Sequence, residues 1–280
     1  MMKFGSDPNY MEHRILGQSG LEVPVIGMGT WKTFDVRGER DVHARRGVVD
    51  AALAAGTTLF DTSPMYGQAE PVLSAALAGR RSRAIVADKV WTSSSRDARE
   101  QIRRALGWYG GVVDVYQIHN LVAWRERLTM LEDLQARGQA RVIGATHYAH
   151  SALGDLMRVM KTGRIQMVQI PYNVTDRVVE REVLPLAQQL NLGVLVMEPL
   201  GTGQLVRRQP PAAKLQPLER FGVRTWAQAL LKWIVSDARV HAVLPATSKA
   251  TRATENAAAG DPPWFDAETR EYVARLAADL

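Results

Sequence analysis

Short apolar runs rich in Val and Ile recur along the chain, and between them apolar positions return every three or four residues. The first pattern suits strands buried on both faces; the second suits helices that lay one face on a sheet. Residues 25–29, 57–61, 84–89, 113–119, 141–147, 166–170, 193–198 and 241–245 are the expected strands. Helices are expected where Val48, Ala51, Ala52 and Ala55 lead to Gly56, and where Leu128, Leu131 and Leu134 precede Gly138. Ile102, Ala105, Leu106 and Tyr109 mark a third, and Trp226, Leu230, Trp233 and Ile234 a fourth. Ahead of the first strand, Gly17-Gln18-Ser19-Gly20 separates residues 14–16 from 21–24 and reads as a small hairpin able to plug a barrel floor. Residues 207–216, with Pro210 and Pro211, read as a loop, either an active-site flap or an inert surface segment.

This alternation points to an α/β fold, a (β/α)8 (TIM) barrel with a short N-terminal β-hairpin. An open doubly wound sheet can hold as many strands. However, no Gly-x-Gly-x-x-Gly opens a helix after a strand, as that type of dinucleotide-binding sheet requires. A length of 280 residues matches one barrel, so a single domain over 1–280 is expected.

The chain has no cysteine, which excludes disulfides, thiolate nucleophiles and cysteine-ligated zinc and suits a reducing compartment; a cytoplasmic location is expected. No apolar run approaches the roughly 18 residues of a membrane span, so no membrane partner is expected. A net charge of +6 suits an anionic partner such as a phosphorylated cofactor or nucleic acid. The arginines are nevertheless scattered, paired only at Arg80-Arg81, Arg103-Arg104 and Arg207-Arg208, which reads as solvated helix faces rather than a nucleic-acid stripe. His13, His43, His150 and His241 lack metal-ligand spacing, and no metal is expected.

In a parallel barrel the chemistry sits at the carboxyl ends of the strands. Asp61 closes the second expected strand, Tyr66 follows in its loop, Lys89 closes the third and His119 the fourth. Each alone is ordinary: a strand-end Asp commonly caps a turn, and a lone His is commonly structural. Together they deliver a carboxylate, a phenol, an ammonium and an imidazole to one rim. A phenol is a poor proton donor at neutral pH unless a cation stabilises its phenolate, and Lys89, held by Asp61, can do so. His119 can hydrogen-bond the same oxygen, which makes a general-acid site for reducing a carbonyl. Trp31 and Trp91, after the first and third strands, join Tyr66 and His119 as candidate walls of a substrate pocket, although packing under the rim loops explains them nearly as well.

With these residues in this order, the sequence resembles the aldo-keto reductase family. The resemblance spans nearly the whole chain, through Arg14-Ile15-Leu16-Gly17, Gly27-Met28-Gly29-Thr30-Trp31, Phe60-Asp61-Thr62-Ser63 with Met65-Tyr66-Gly67, and Ile143-Gly144-Ala145-Thr146. It continues through Gln169 with Tyr172-Asn173, Pro199-Leu200-Gly201-Thr202-Gly203, and Leu244-Pro245 with Arg252-Ala253-Thr254-Glu255-Asn256. It implies NADPH, with NADH as the alternative, extended across the barrel mouth over Gly29, Thr30, Trp31, Asp61 and Met197, and a small-molecule carbonyl substrate. Thr146, His147 and Gln169 would touch the nicotinamide carboxamide. The loop Pro199, Leu200, Gly201 and Gly203 would lie along the pyrophosphate, Thr247, Ser248, Lys249 and Arg252 would hold the 2′-phosphate, and Glu255 with Asn256 would contact adenine.

Three departures stand out. Thr146-His147 occupies the place of Ser-Asn in many members, Met197 that of an aromatic that stacks on the nicotinamide, and Ala246 that of a Lys in many NADPH-preferring members. The resemblance implies reduction of an aldehyde or ketone with Tyr66 as acid. The alternative is a non-catalytic, cofactor-binding redox sensor or channel-associated subunit. A barrel hydrolase or lyase using Asp61 and His119 leaves the phosphate-like cluster after the eighth strand unexplained.

Overall fold

The computed structural model describes residues 11–280. A two-stranded antiparallel hairpin, β1 (His13–Ile15) and β2 (Glu22–Pro24), precedes eight parallel strands. These are β3 (Met28–Gly29), β4 (Leu59–Asp61), β5 (Ile85–Val90), β6 (Val113–His119), β7 (Ala140–Thr146), β8 (Met167–Pro171), β9 (Gly193–Met197) and β10 (Ala242–Val243), each hydrogen-bonded to its neighbour in chain order. Parallel bridges from Ile26 to Val243 and from Gly29 to Ala246 join the last strand to the first and close the barrel. The connections carry α1 (Glu39–Ala54), α2 (Ala69–Ala76), α3 (Ser95–Trp108), α4 (Trp124–Ala136), α5 (Leu153–Met160), α6 (Val183–Gln189), α7 (Ala212–Leu215), α8 (Trp226–Val235), α9 (Ala250–Ala257) and α10 (Ala267–Ala278). The eight expected strands are all present, with ends shifted by a few residues except for β6, which spans the expected 113–119.

Period-two alternation sends one row of each strand inward and the other to the helices. The inward row Leu59, Ala87, Val115, Val142, Met167 and Leu195 forms an apolar layer low in the barrel, and the hairpin's Leu16, Leu21 and Val23 pack beneath it. The hairpin therefore plugs the floor. Its turn depends on Gly17, where φ is +56° and a side chain would come within 2.7 Å of the Asn191 carbonyl oxygen. Outward positions such as Phe60, Val86, Ile143 and Val168 join the helices' apolar stripes in a second core.

Residues 207–216, expected as a loop, hold the one-turn helix α7. Pro211 sits at its N-cap with φ preset at −52°, the Lys214 carbonyl accepts from Tyr272 Oη, and half-buried Leu215 packs on the core. A run rich in Pro is punctuation for a helix here, because tertiary anchoring supplies what local propensity lacks. No helix among the described residues is long and apolar enough to cross a membrane.

Candidate active site

At the upper end of the barrel the inward row turns polar. Lys89 pairs in register with Gln117, while His119, Thr146 and Gln169 lie side by side across β6, β7 and β8. Lys89 is 1% exposed, and its Nζ donates to both oxygens of Asp61 at 2.7 Å and to the Thr62 carbonyl at 2.8 Å. A buried ammonium survives only when its donors are satisfied, and the Asp61 carboxylate supplies the counter-charge. Burial pulls the Lys89 pKa down, but Asp61 and Tyr66 outweigh it and hold the ammonium above its ordinary value.

Tyr66 ends a 3-10 turn, Pro64–Tyr66, capped by the Ser63 hydroxyl. Lys89 Nζ lies 5.2 Å from its ring centroid, and the His119 ring stands edge-on at 5.8 Å. Burial raises the phenol's pKa and Lys89 pulls it back, with a net rise, so the phenol holds its proton in the resting site. His119 is 6% exposed, and burial, helped by the charges of Lys89 and His147, pushes its pKa down to about 3; the imidazole is neutral at physiological pH. Trp91 lies 6.4 Å from the His119 ring and is 39% exposed. Trp31, at 38%, also opens to solvent, with the Lys32 ammonium 4.2 Å from its ring.

The four residues expected to carry chemistry thus converge. Two that sequence reasoning missed sit among them. Gln117, two positions before His119 and therefore on the same strand face, directs Nε2 toward Asp61 Oδ1 at 3.4 Å. Ser63, wholly buried, bonds His119 Nδ1 at 2.8 Å. The Thr-Ser-Pro order signals a turn cap, but nothing local signals the imidazole 56 residues away.

The residues expected around a cofactor divide by environment. Gly29 closes β3 at the seam with Ala246, where a side chain would come within 3.1 Å of the Leu244 carbonyl oxygen. Thr30 is fully buried with its hydroxyl donating to the Asp61 carbonyl, and the Thr146 hydroxyl donates to the Gln169 carbonyl. His147 accepts the Ala149 amide on Nδ1, so its Nε2 carries the proton when neutral. Gln169 is 1% exposed, yet its Oε1 has no hydrogen-bond partner. An orphaned amide oxygen aimed along the inward row fits a ligand that brings an N–H, as a nicotinamide carboxamide does. Half-buried Met197 ends β9, followed by Pro199, Leu200 and the turn Gly201-Thr202-Gly203, with φ values of 55°, 53° and 89°.

Beyond β10, buried Thr247 accepts the Lys249 amide, and Ser248, Lys249 and Arg252 are exposed at the start of α9. Neither Lys249 nor Arg252 has a side-chain partner among the described residues. Unpaired cations at a helix N-terminus oppose its dipole, an arrangement that an anion relieves. Glu255 and buried Asn256 lie one turn further along α9. A cavity of about 590 Å³ opens at the opposite end of the barrel, near Thr58, Ile85 and Asp114, but its central Arg81 is tied to Asp114 and to three carbonyls.

The sequence profile of the Aldo/keto reductase family matches residues 25–277. Methylglyoxal reductase YeaE of Escherichia coli (strain K12) is 27% identical over 260 residues, covering 89% of each chain. A probable voltage-gated potassium channel subunit beta of Oryza sativa subsp. japonica is 25% identical over 304 residues, covering 90% of this chain and 92% of that one. Among solved structures, an aldo-keto reductase from Klebsiella pneumoniae in complex with NADPH superposes with a TM-score of 0.80 at 24% identity, covering 95% of both chains. With a barrel closed at Gly29 and Ala246, a buried Lys89–Asp61 pair beside Tyr66 and a family profile that runs from the first barrel strand to the last helix, the chain belongs to the aldo/keto reductase family of oxidoreductases.

Proposed function

We propose that this protein reduces an aldehyde or ketone to an alcohol with a nicotinamide cofactor, NADPH in preference to NADH, and with Tyr66 as the general acid. The observation that carries the reading is the buried Lys89 ammonium, locked on Asp61 and set beside the Tyr66 phenol. A phenol whose pKa is raised keeps its proton until a stronger base forms, and the oxygen of a carbonyl gaining hydride is such a base. The bound cofactor supplies that hydride to the carbonyl carbon. Tyr66 hands its proton to the oxygen, and Lys89 stabilises the phenolate left behind. The neutral His119 imidazole hydrogen-bonds the same oxygen, and Trp91 and Trp31 offer flat apolar walls.

Support for NADPH over NADH comes from the two unpaired cations, Lys249 and Arg252, beside exposed Ser248 at the start of α9. Ala246 offers no third cation. A second reading, a cofactor-binding regulatory subunit, draws on the channel-subunit relative in Oryza sativa. A pure binder has no use for an acid backed by a buried cation, which favours catalysis.

Following cofactor absorbance against a panel of aldehydes and ketones tests the reading. Turnover of at least one carbonyl is expected, and Tyr66→Phe lowers kcat by about a hundredfold or more while leaving the NADPH Kd within about twofold. Full turnover in that variant removes Tyr66 as the acid. Tight NADPH binding with no turnover of any carbonyl by the wild type selects the regulatory reading.

A further inference from the structure

We propose that Ser63 is a positioning residue that locks His119 in one tautomer, with the proton on Nε2 and the lone pair on Nδ1. Among the described residues Ser63 Oγ has two partners: it accepts the Met65 amide at 3.2 Å and lies 2.8 Å from His119 Nδ1. A hydroxyl has one proton to give and two lone pairs to offer. If Nδ1 carried the imidazole proton, Oγ would accept twice, and its own O–H would be left without an acceptor in a residue that is 0% exposed. A stranded buried donor shifts such a population by roughly tenfold to a hundredfold. If Ser63 donates to Nδ1 instead, both groups are satisfied.

Neutrality of the ring makes the choice binary, since an imidazolium would carry protons on both nitrogens. Burial and the neighbouring Lys89 charge keep His119 neutral. Its Nε2 has no partner among the described residues, and unlike Nδ1 it is not held by Ser63. The free N–H therefore belongs to the nitrogen that Ser63 does not hold, on a ring that has Tyr66 and Trp91 as its aromatic neighbours. In this tautomer His119 only donates at that position. It can hold a carbonyl or alcohol oxygen but cannot take a proton from it, so proton transfer in either direction falls to Tyr66.

The same hydroxyl caps the turn that carries Tyr66, so a single atom sets both the course of the acid's loop and the proton on the imidazole. The consequence for catalysis rests on the carbonyl-reductase reading; the tautomer does not.

The test is long-range proton–nitrogen NMR on histidine-labelled full-length protein near neutral pH, with the His119 signals assigned by their loss in His119→Gln. The wild type is expected to show a pyridine-type Nδ1 and a pyrrole-type Nε2. Ser63→Ala is expected to move both shifts toward an average and to lower kcat about tenfold, with the NADPH Kd unchanged within about twofold. Ser63→Thr, which keeps the hydroxyl, is expected to restore both. A pyrrole-type Nδ1 in the wild type overturns the proposal whether or not any variant folds. An unchanged His119 spectrum in Ser63→Ala also overturns it, as does a full kcat in that variant with the tautomer lost. Absence of turnover in the wild type would sink the enzymatic reading while leaving the spectral result to stand or fall by itself.

Discussion

Glu70 and Asp88 share a walled-in space between α2 and β5, behind the lysine of the site. Burial lifts both: Glu70 to about 7, despite the hydrogen bond from Asp88 and the charges of Arg104 and Lys89, and Asp88 well above the carboxylate range because Glu70 adds to its burial. The native state therefore binds protons that the unfolded chain releases at ordinary carboxylate pH. The part that Glu70 contributes is complete below about 4.5, its ordinary value, and is lost as pH rises through about 7. His119, pushed to about 3, and His241, pushed to about 4 by burial and then by Arg14, act in the opposite sense, losing stability as pH falls below 6.5. Glu70→Gln keeps the histidines and removes the carboxyl. From pH 6 to pH 8 its urea midpoint is expected to gain on that of the wild type, and a pH-independent difference between the two proteins would refute the coupling.

Among the elements, the two glycines Gly144 and Gly47 illustrate opposite constraints. Gly144 sits inward on β7, where a side chain would run into Met167 Sδ and come within 2.6 Å of the Met167 carbonyl oxygen. Backbone cannot yield as a side-chain tip can, so Gly144→Ala is expected to destabilise by about 1–3 kcal/mol or more. Gly47 lies exposed inside α1 with nothing within 4 Å, and Gly47→Ala is expected to stabilise by roughly 0.5–1 kcal/mol. Urea midpoints for the pair check both signs. Strain concentrates elsewhere: Lys32, Asn120, Leu121, Ala123, Glu198 and Thr202 all have positive φ, and all follow the carboxyl ends of β3, β6 and β9. Left-handed backbone disfavours a non-glycine residue by about 1–2 kcal/mol, and it accumulates here on the rim that holds the candidate chemistry.

For the molecule as a whole, the proposed cofactor site is distributed over the upper ends of β3, β7 and β8 and the loops after β7, β9 and β10, so a ligand that fills it ties distant parts of the barrel together. NADPH at 100 times its Kd is expected to stabilise the fold by about 2.7 kcal/mol, read as a rise in Tm. Arg252→Ala is expected to diminish that rise far more for NADPH than for NADH, because the guanidinium would pair only with the extra phosphate. Equal losses with the two cofactors would show that Arg252 does not discriminate between them.

The strands, the helices with clear stripes, the hairpin and the Asp61–Tyr66–Lys89–His119 quartet were legible without coordinates, because each leaves a local mark: a period, a turn dipeptide, or a polar residue closing an apolar run. Local order does not record which residues meet across the barrel. Lys89 finds Asp61 at a separation of 28 residues, and Ser63 finds His119 at 56, through strand register and barrel closure. Gln117 reads as one more residue of β6 until the register sets it beside Lys89, and α7 forms in a run rich in Pro because Tyr272 and the core anchor it. The Asp88 carboxyl is raised above its ordinary range only where folding buries it beside Glu70, since desolvation and the proximity of two carboxyls belong to the packed interior rather than to the chain.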